Sequence, residues 1–177
     1  MIRIAEDADI KKIADLYIHN WRETYRGLIS DDYINGLTLD YAVAKWSEYI
    51  HSGDHMVLVA YEDGAFAGFA GCKPEREIEN CLLLDSLHVF PCYRDRGLGS
   101  LLIQKCLEYA NNKGFNCLSI NIINGNDKAK QLYMKLGAKH HSFFDDHLGE
   151  VELAPSEKLI WELKNNEEHM ICGSVSH

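Results

Sequence analysis

Apolar positions along this chain recur with two periods, one near 3.6 residues and one near 2, and the switches between them predict its elements. Residues 2–5 read as a short strand. Ile10, Ile13, Ala14, Tyr17 and Trp21 then repeat at helical spacing, with Asp7 as the expected N-cap. Residues 27–32 break the pattern, and Ala42 and Trp46 share one face of a second helix over about 38–50. Strands at 56–61 and 66–72 flank Asp63-Gly64, a dipeptide suited to the positive φ angles of a type I′ hairpin turn. A charged loop over 73–80 precedes a dense apolar run, 81–90, which reads as a central strand. After Pro91 comes a glycine-rich turn. Leu98, Leu101, Leu102, Cys106 and Tyr109 then line a helix that Gly114 should stop. Residues 117–123 form a strand, and Asn126 is placed to cap a helix whose inward face is Ala129, Leu132, Tyr133 and Leu136, ended by Gly137. Strands near 139–145 and 158–163 follow, and 165–177 read as a polar tail beyond one domain spanning 1–164. This alternation predicts an α/β fold with a mixed sheet, in which 81–123 closes one right-handed βαβ unit.

Composition narrows the function classes. The chain has 177 residues, enough for one domain with a real core, and no window approaches the roughly 18 apolar residues of a membrane span. Its N-terminus turns acidic at once, without the apolar centre of an export signal, so the expected compartment is the cytoplasm. A net charge of −9 repels phosphate backbones and argues against a nucleic-acid partner, while mildly favouring cationic substrates. None of the six cysteines makes a C-x-x-C pair. A chain of this length needs no disulfide, and Cys72, Cys106 and Cys117 read as small core residues. His140, His141, Asp145, Asp146 and His147 cluster in sequence. Side chains alternate along a strand, so a solvated hairpin is expected there and no metal site.

The most informative stretch is Val89-Phe90-Pro91-Cys92-Tyr93-Arg94-Asp95-Arg96-Gly97-Leu98-Gly99-Ser100. A buried strand runs through a turn into a helix whose first amides have no helical acceptor and carry partial positive charge. Gly97 and Gly99 clear side chains from the backbone, and Arg94 and Arg96 add full charge, a combination suited to pyrophosphate. A Walker A loop would need a lysine that is absent, and Leu102 stands where a dinucleotide fingerprint would place its third glycine.

Arg94-x-x-Gly97-x-Gly99, after Leu87-His88-Val89-Phe90-Pro91, resembles the cofactor signature of the GNAT superfamily of N-acetyltransferases. Asn126-x-x-Ala129-x-x-Leu132-Tyr133-x-x-x-Gly137-Ala138 resembles the second motif of that family, about thirty residues downstream. The resemblance implies a mostly antiparallel central sheet flanked by helices and splayed at an acetyl-CoA slot. It implies that Arg94, Asp95, Arg96, Gly97, Leu98, Gly99 and Ser100 hold the pyrophosphate, that the backbone of Leu87, His88 and Val89 meets the pantetheine arm at a bulge, and that Asn126 bonds the same arm. An ordinary N-cap role for Asn126 stays open. Tyr133 takes the place of the general acid that protonates the departing thiolate; the alternative is a core tyrosine. Asp85, an acid inside an apolar strand, is the expected base, with His88 as the other candidate. Trp21 and Tyr25, in a Trp-x-x-x-Tyr-x-Gly stretch, either line the acceptor site or pack between helices. The implied activity is acetyl transfer from acetyl-CoA to an amine of a small molecule or peptide. A protein N-terminal or lysine acetyltransferase and a non-catalytic acyl-CoA sensor remain as alternatives. A homodimer is left open.

Overall fold

The computed structural model describes residues 1–148 and 152–164. The 165–177 tail expected from the sequence lies outside them. The strands are β1 (Ile2–Ile4), β2 (Met56–Glu62), β3 (Ala65–Pro74), β4 (Cys81–Val89), β5 (Cys117–Ile123), β6 (Lys139–Leu148) and β7 (Glu152–Glu162). The α-helices are α1 (Ile10–Thr24), α2 (Asp31–Gly36), α3 (Leu39–His51), α4 (Leu98–Asn112) and α5 (Asp127–Lys135). The strands form one sheet in the order β1-β2-β3-β4-β5-β7-β6, in which β4 and β5 run parallel and the other neighbours antiparallel.

Alternation along β2 feeds two cores. Met56, Leu58 and Ala60 join Leu102, Ile103 and Cys106 of α4, whereas Val57 and Val59 join Ile13 and Leu16 of α1 and Trp46 of α3. The β2–β3 turn has φ of 51° at Asp63 and 80° at Gly64, as the hairpin dipeptide predicts.

Two features of β4 shape the rest. Gly71 pairs with Ser86 and Cys72 with Leu84, so Asp85 is an extra residue, a bulge. The bulge switches the alternation: Leu82 and Leu84 face the α4 core, and beyond it Leu87 and Val89 do. At the same point the parallel pairing stops. β4 meets β5 from Cys81↔Cys117 to Leu84↔Ile120, after which Asn121, Ile122 and Ile123 pair with β7 only. The sheet opens into a V.

Four sequence expectations change. Asp9, rather than Asp7, occupies the N-cap of α1, because a 3-10 turn (Asp7–Asp9) precedes the helix and Asp9 is drawn inward by Arg3 at 2.8 Å. Helix α2 fills part of the expected break, with the Ser30 side chain accepting from the Tyr33 N–H. β7 begins at Glu152, well before the expected 158, since its first half already pairs with β6, down to Leu148↔Glu152. A disulfide was not expected, yet Cys81 and Cys117 form one; they are register partners at the closed end of the V, with Cα atoms 4.8 Å apart. Cys72 and Cys106 are buried and free, as read from their apolar surroundings.

Candidate active site

Two cavities meet the open end of the V from opposite faces of the sheet. The first, about 320 Å³, lies on the α4 and α5 side. Leu87 and Val89 form its strand wall, Asp95 and Gly97–Ser100 its floor, and Asn126, Ala129, Leu132 and Tyr133 its far wall. Gly97 has φ of +81°, a conformation that L side chains rarely adopt, and a Cβ added there would meet nothing within 4 Å. The first helical bond of α4 runs from the Leu101 N–H to the Gly97 carbonyl. The amides of Leu98, Gly99 and Ser100 therefore have no helical acceptor, and they lie along the cavity floor. A phosphate-bearing group fits this floor. An extended arm fits beside the edge of β4 that β5 has left.

The arginines act differently from expectation. Arg94 lines the cavity, but its Nε donates to the Val89 carbonyl at 3.1 Å and its Nη2 to Asn20 Oδ1 at 3.0 Å, so it fastens the turn to the strand end. Arg96 is exposed, lies 3.7 Å from Glu62 and over the Tyr93 ring, and is not part of the cavity wall. Two further wall residues escaped the sequence reading. Asn20 of α1 also donates to the Val89 carbonyl, and Lys128 in the first turn of α5 pairs with Asp95 at 3.7 Å. Neither sits at a spacing that marks it in the sequence.

Tyr133 is buried, and burial pushes its phenol well above the ordinary value, so it keeps its proton at any physiological pH. Its ring meets Trp161 edge-on, with centroids 6.0 Å apart. Asn126 stands at the N-cap of α5 without a side-chain capping bond; its side chain hydrogen-bonds Tyr25 instead. His88 points to the other face, between Tyr17 and Phe69, where desolvation and then the charges of Arg94 and Lys45 hold its pKa down to about 3. It stays neutral near pH 7, and as the alternative base it is therefore weak.

The second cavity, about 290 Å³, lies on the α1 side. Tyr17 and Trp21 of α1, Tyr25 at its C-cap, Tyr33 of α2 and Tyr41 of α3 give it aromatic walls. Trp21 and Tyr25 also pack on each other, with ring centroids 4.4 Å apart. Asp85 lines this cavity with its Oδ2 3.7 Å from Lys73 Nζ, the pairing that lets a carboxylate sit in an apolar strand. Asn121, at the point where β5 leaves β4, lines it too, as do Lys45 and Asp146. The expected solvated hairpin is thus corrected in part. His140 pairs with Glu157 at 2.7 Å, whereas alternation along β6 turns Asp146 into the cavity. Tyr25 stands at the junction: it bonds Asn126 of the first cavity and interacts electrostatically with Asp146 of the second and with Tyr133.

Comparisons with known proteins agree with this geometry. The model of the Acetyltransferase (GNAT) family matches residues 13–138. The uncharacterized N-acetyltransferase YhfO of Bacillus subtilis is 29% identical over 146 residues, covering 81% of this chain and 92% of YhfO. PaiA N-acetyltransferase from Thermoplasma acidophilum, solved in complex with coenzyme A, superposes with a TM-score of 0.77 at 22% identity, over 92% of this chain and 98% of its own. YncA from Salmonella typhimurium, solved with acetyl-CoA, gives 0.72 at 22% identity, over 93% and 94%.

Proposed function

The chain belongs to the GNAT family of acetyltransferases and is an acetyl-CoA-dependent N-acetyltransferase, and on that premise we propose that it acetylates a primary amine of a small molecule or peptide, with Tyr133 as the general acid. The observation that carries this reading is the pair of cavities meeting at the split between β4 and β5, one with a phosphate-binding floor and one with aromatic and acidic walls. Acetyl-CoA supplies an activated acetyl thioester. The Gly97–Ser100 floor and the free edge of β4 hold it, as the complexes of PaiA and YncA support.

The amine approaches from the α1 side. A ternary complex then permits direct transfer: the nitrogen lone pair forms the N–C bond, the C–S bond breaks with its electrons on sulfur, and a proton must leave nitrogen while another reaches sulfur. Tyr133 suits the second task. Its phenol remains protonated in its buried position, and a thiolate whose acid has a pKa of about 8.5 gains strongly from a nearby O–H. The amine needs help with the first task, because an alkylammonium of pKa about 10.4 is only about one part in a thousand neutral near pH 7.4. A cavity of this size takes a side-chain-sized amine, which favours small molecules and peptide ends over a folded protein surface.

A panel of amines, read by free-thiol release from acetyl-CoA, tests the reading. Wild type should release thiol with at least one amine. Tyr133→Phe should bind CoA normally and turn over about 10²–10⁴-fold more slowly. A folded Phe variant with unchanged turnover, when chemistry limits the rate, removes Tyr133 from the mechanism.

A further inference from the structure

The acceptor cavity holds two carboxylates, and they are not equivalent. Asp85 faces the Lys73 ammonium at 3.7 Å, so a cation already stands where a substrate ammonium would. Asp146, on β6 opposite Ala154 of β7, makes no ion pair among the described residues. A further polar group in the same cavity has an atom without a partner. The side-chain oxygen of Asn121 is buried and, among the described residues, accepts no hydrogen bond. A buried acceptor in that state is costly unless a ligand brings the donor. Asn121 is the first residue of β5 released from β4, and it lines the same cavity as Asp146.

Resting on the acetyl-transfer reading above, we propose that Asp146 is the general base that takes the proton from the acceptor amine, and that the Asn121 side-chain oxygen accepts a second N–H of the same nitrogen. As the N–C bond forms, the proton on nitrogen passes to a carboxylate oxygen of Asp146. The C–S bond breaks, and the Tyr133 O–H protonates sulfur. The proton on Asp146 then returns to the Tyr133 phenolate through solvent. The sum is amine plus thioester giving amide plus thiol, with both side chains restored. Asp146 lines the cavity on the α1 side and Tyr133 the cavity on the α4 and α5 side, so base and acid stand on the two faces of the split between β4 and β5.

The charged and titratable groups around Asp146 fit the role. Asp85 faces it from β4, Lys158 from β7 and His147 from its own strand, while the hydroxyls of Tyr25 just past α1 and Tyr33 on α2 lie near it. Burial and then the Asp85 charge raise the Asp146 pKa above the ordinary carboxylate value, and the His147 N–H and the charges of His147 and Lys158 only partly offset this. A base raised toward neutral pH transfers protons more effectively than an ordinary carboxylate. Asp146 must be ionised to act, so the rate should rise as pH climbs through its pKa.

The test is kcat/KM for the best amine of the panel from about pH 5 to 10, beside CoA affinity and melting temperature for each variant. Asp146→Asn should lose about 10²–10⁴-fold in kcat/KM and lose the acidic limb, with CoA affinity within about twofold. Asp146→Glu should recover part of the rate and a displaced limb. Asn121→Ala should raise KM for the amine about tenfold, the scale of one lost hydrogen bond, with kcat little changed. Asp85→Asn, which loses the Lys73 pair, should keep the limb but displace it to lower pH, because the charge that raises Asp146 is gone. A folded Asp146→Asn enzyme with the wild-type profile overturns the proposal, as does loss of the limb in Asp85→Asn alone. Should Asp146→Asn not fold, an Asp146→Glu profile identical to wild type overturns it. Wild type that releases no thiol with any amine overturns the acetyl-transfer reading and this base with it; wild type active beside an unaffected Asp146→Asn overturns only the base.

Discussion

The two cavities are built by different means. The proposed cofactor slot is made chiefly of backbone: a left-handed Gly97, the first amides of α4 and the free edge of β4. The proposed acceptor cavity is made of side chains from three helices and three strands, from Tyr17 to Leu148. A backbone site depends on conformation and tolerates many side chains. A side-chain site depends on residue identity at scattered positions. The first suits a cosubstrate common to a family, and the second is free to change with the acceptor.

That contrast can be broken or sharpened by substitution. The largest effect is expected at Gly99, where a Cβ would already lie 3.8 Å from Leu132 and a larger side chain would fill the floor. Gly99→Trp should weaken CoA binding by about 100-fold, equivalent to about 2.7 kcal/mol, without unfolding the chain. Calorimetry showing normal affinity in a folded variant would place the pyrophosphate elsewhere. Tyr25→Phe comes next. It removes the hydroxyl that joins the two cavities while keeping the ring against Trp21. The expected result is a fall of about tenfold in kcat/KM for the amine with CoA affinity within a few-fold, on the scale of one lost hydrogen bond. Equal losses on both sides would mean that Tyr25 belongs to the slot as much as to the acceptor cavity. Lys128→Ala should have the smallest effect. Its ammonium is exposed and, among the described residues, pairs with exposed Asp95, so CoA affinity should fall about two- to fivefold at low salt. The difference should shrink in about 0.5 M salt, where screening is nearly complete. A salt-independent loss would show Lys128 desolvated by the bound cosubstrate.

The same contrast explains what could be read in advance. The slot was legible because its residues are nearly contiguous: Leu87 to Ser100, then Asn126 and Tyr133 one strand later. A turn that needs glycine at a fixed place leaves a mark in sequence. Trp21, Tyr25 and Asp85, which line one cavity, were also singled out through local oddity: aromatics at a helix end and an acid within an apolar strand. Asp146, Asn121 and Asn20 were not. Their places in the two cavities arise from where β5 leaves β4 and from which strands and helices meet there, long-range geometry that no local pattern encodes. The Cys81–Cys117 bond was missed for the same reason, since it depends on the register of two strands separated by 36 residues of sequence. Arg94 shows the opposite failure. Its position was read correctly, but its charge is directed at Val89 and Asn20 as a fastening.

The extra residue at Asp85 makes β4 behave like a reading frame. A substitution downstream changes one side chain on one wall. An insertion or deletion of a single residue at the bulge, between Leu84 and Ser86, would instead exchange the faces of Ser86, Leu87, His88 and Val89 together, sending His88 toward the proposed cofactor slot and Leu87 toward Tyr17 and Phe69. Along this strand, lineages can therefore drift in residue identity far more freely than in length. Changes of length are best accommodated where no face is assigned, such as the turn between β3 and β4.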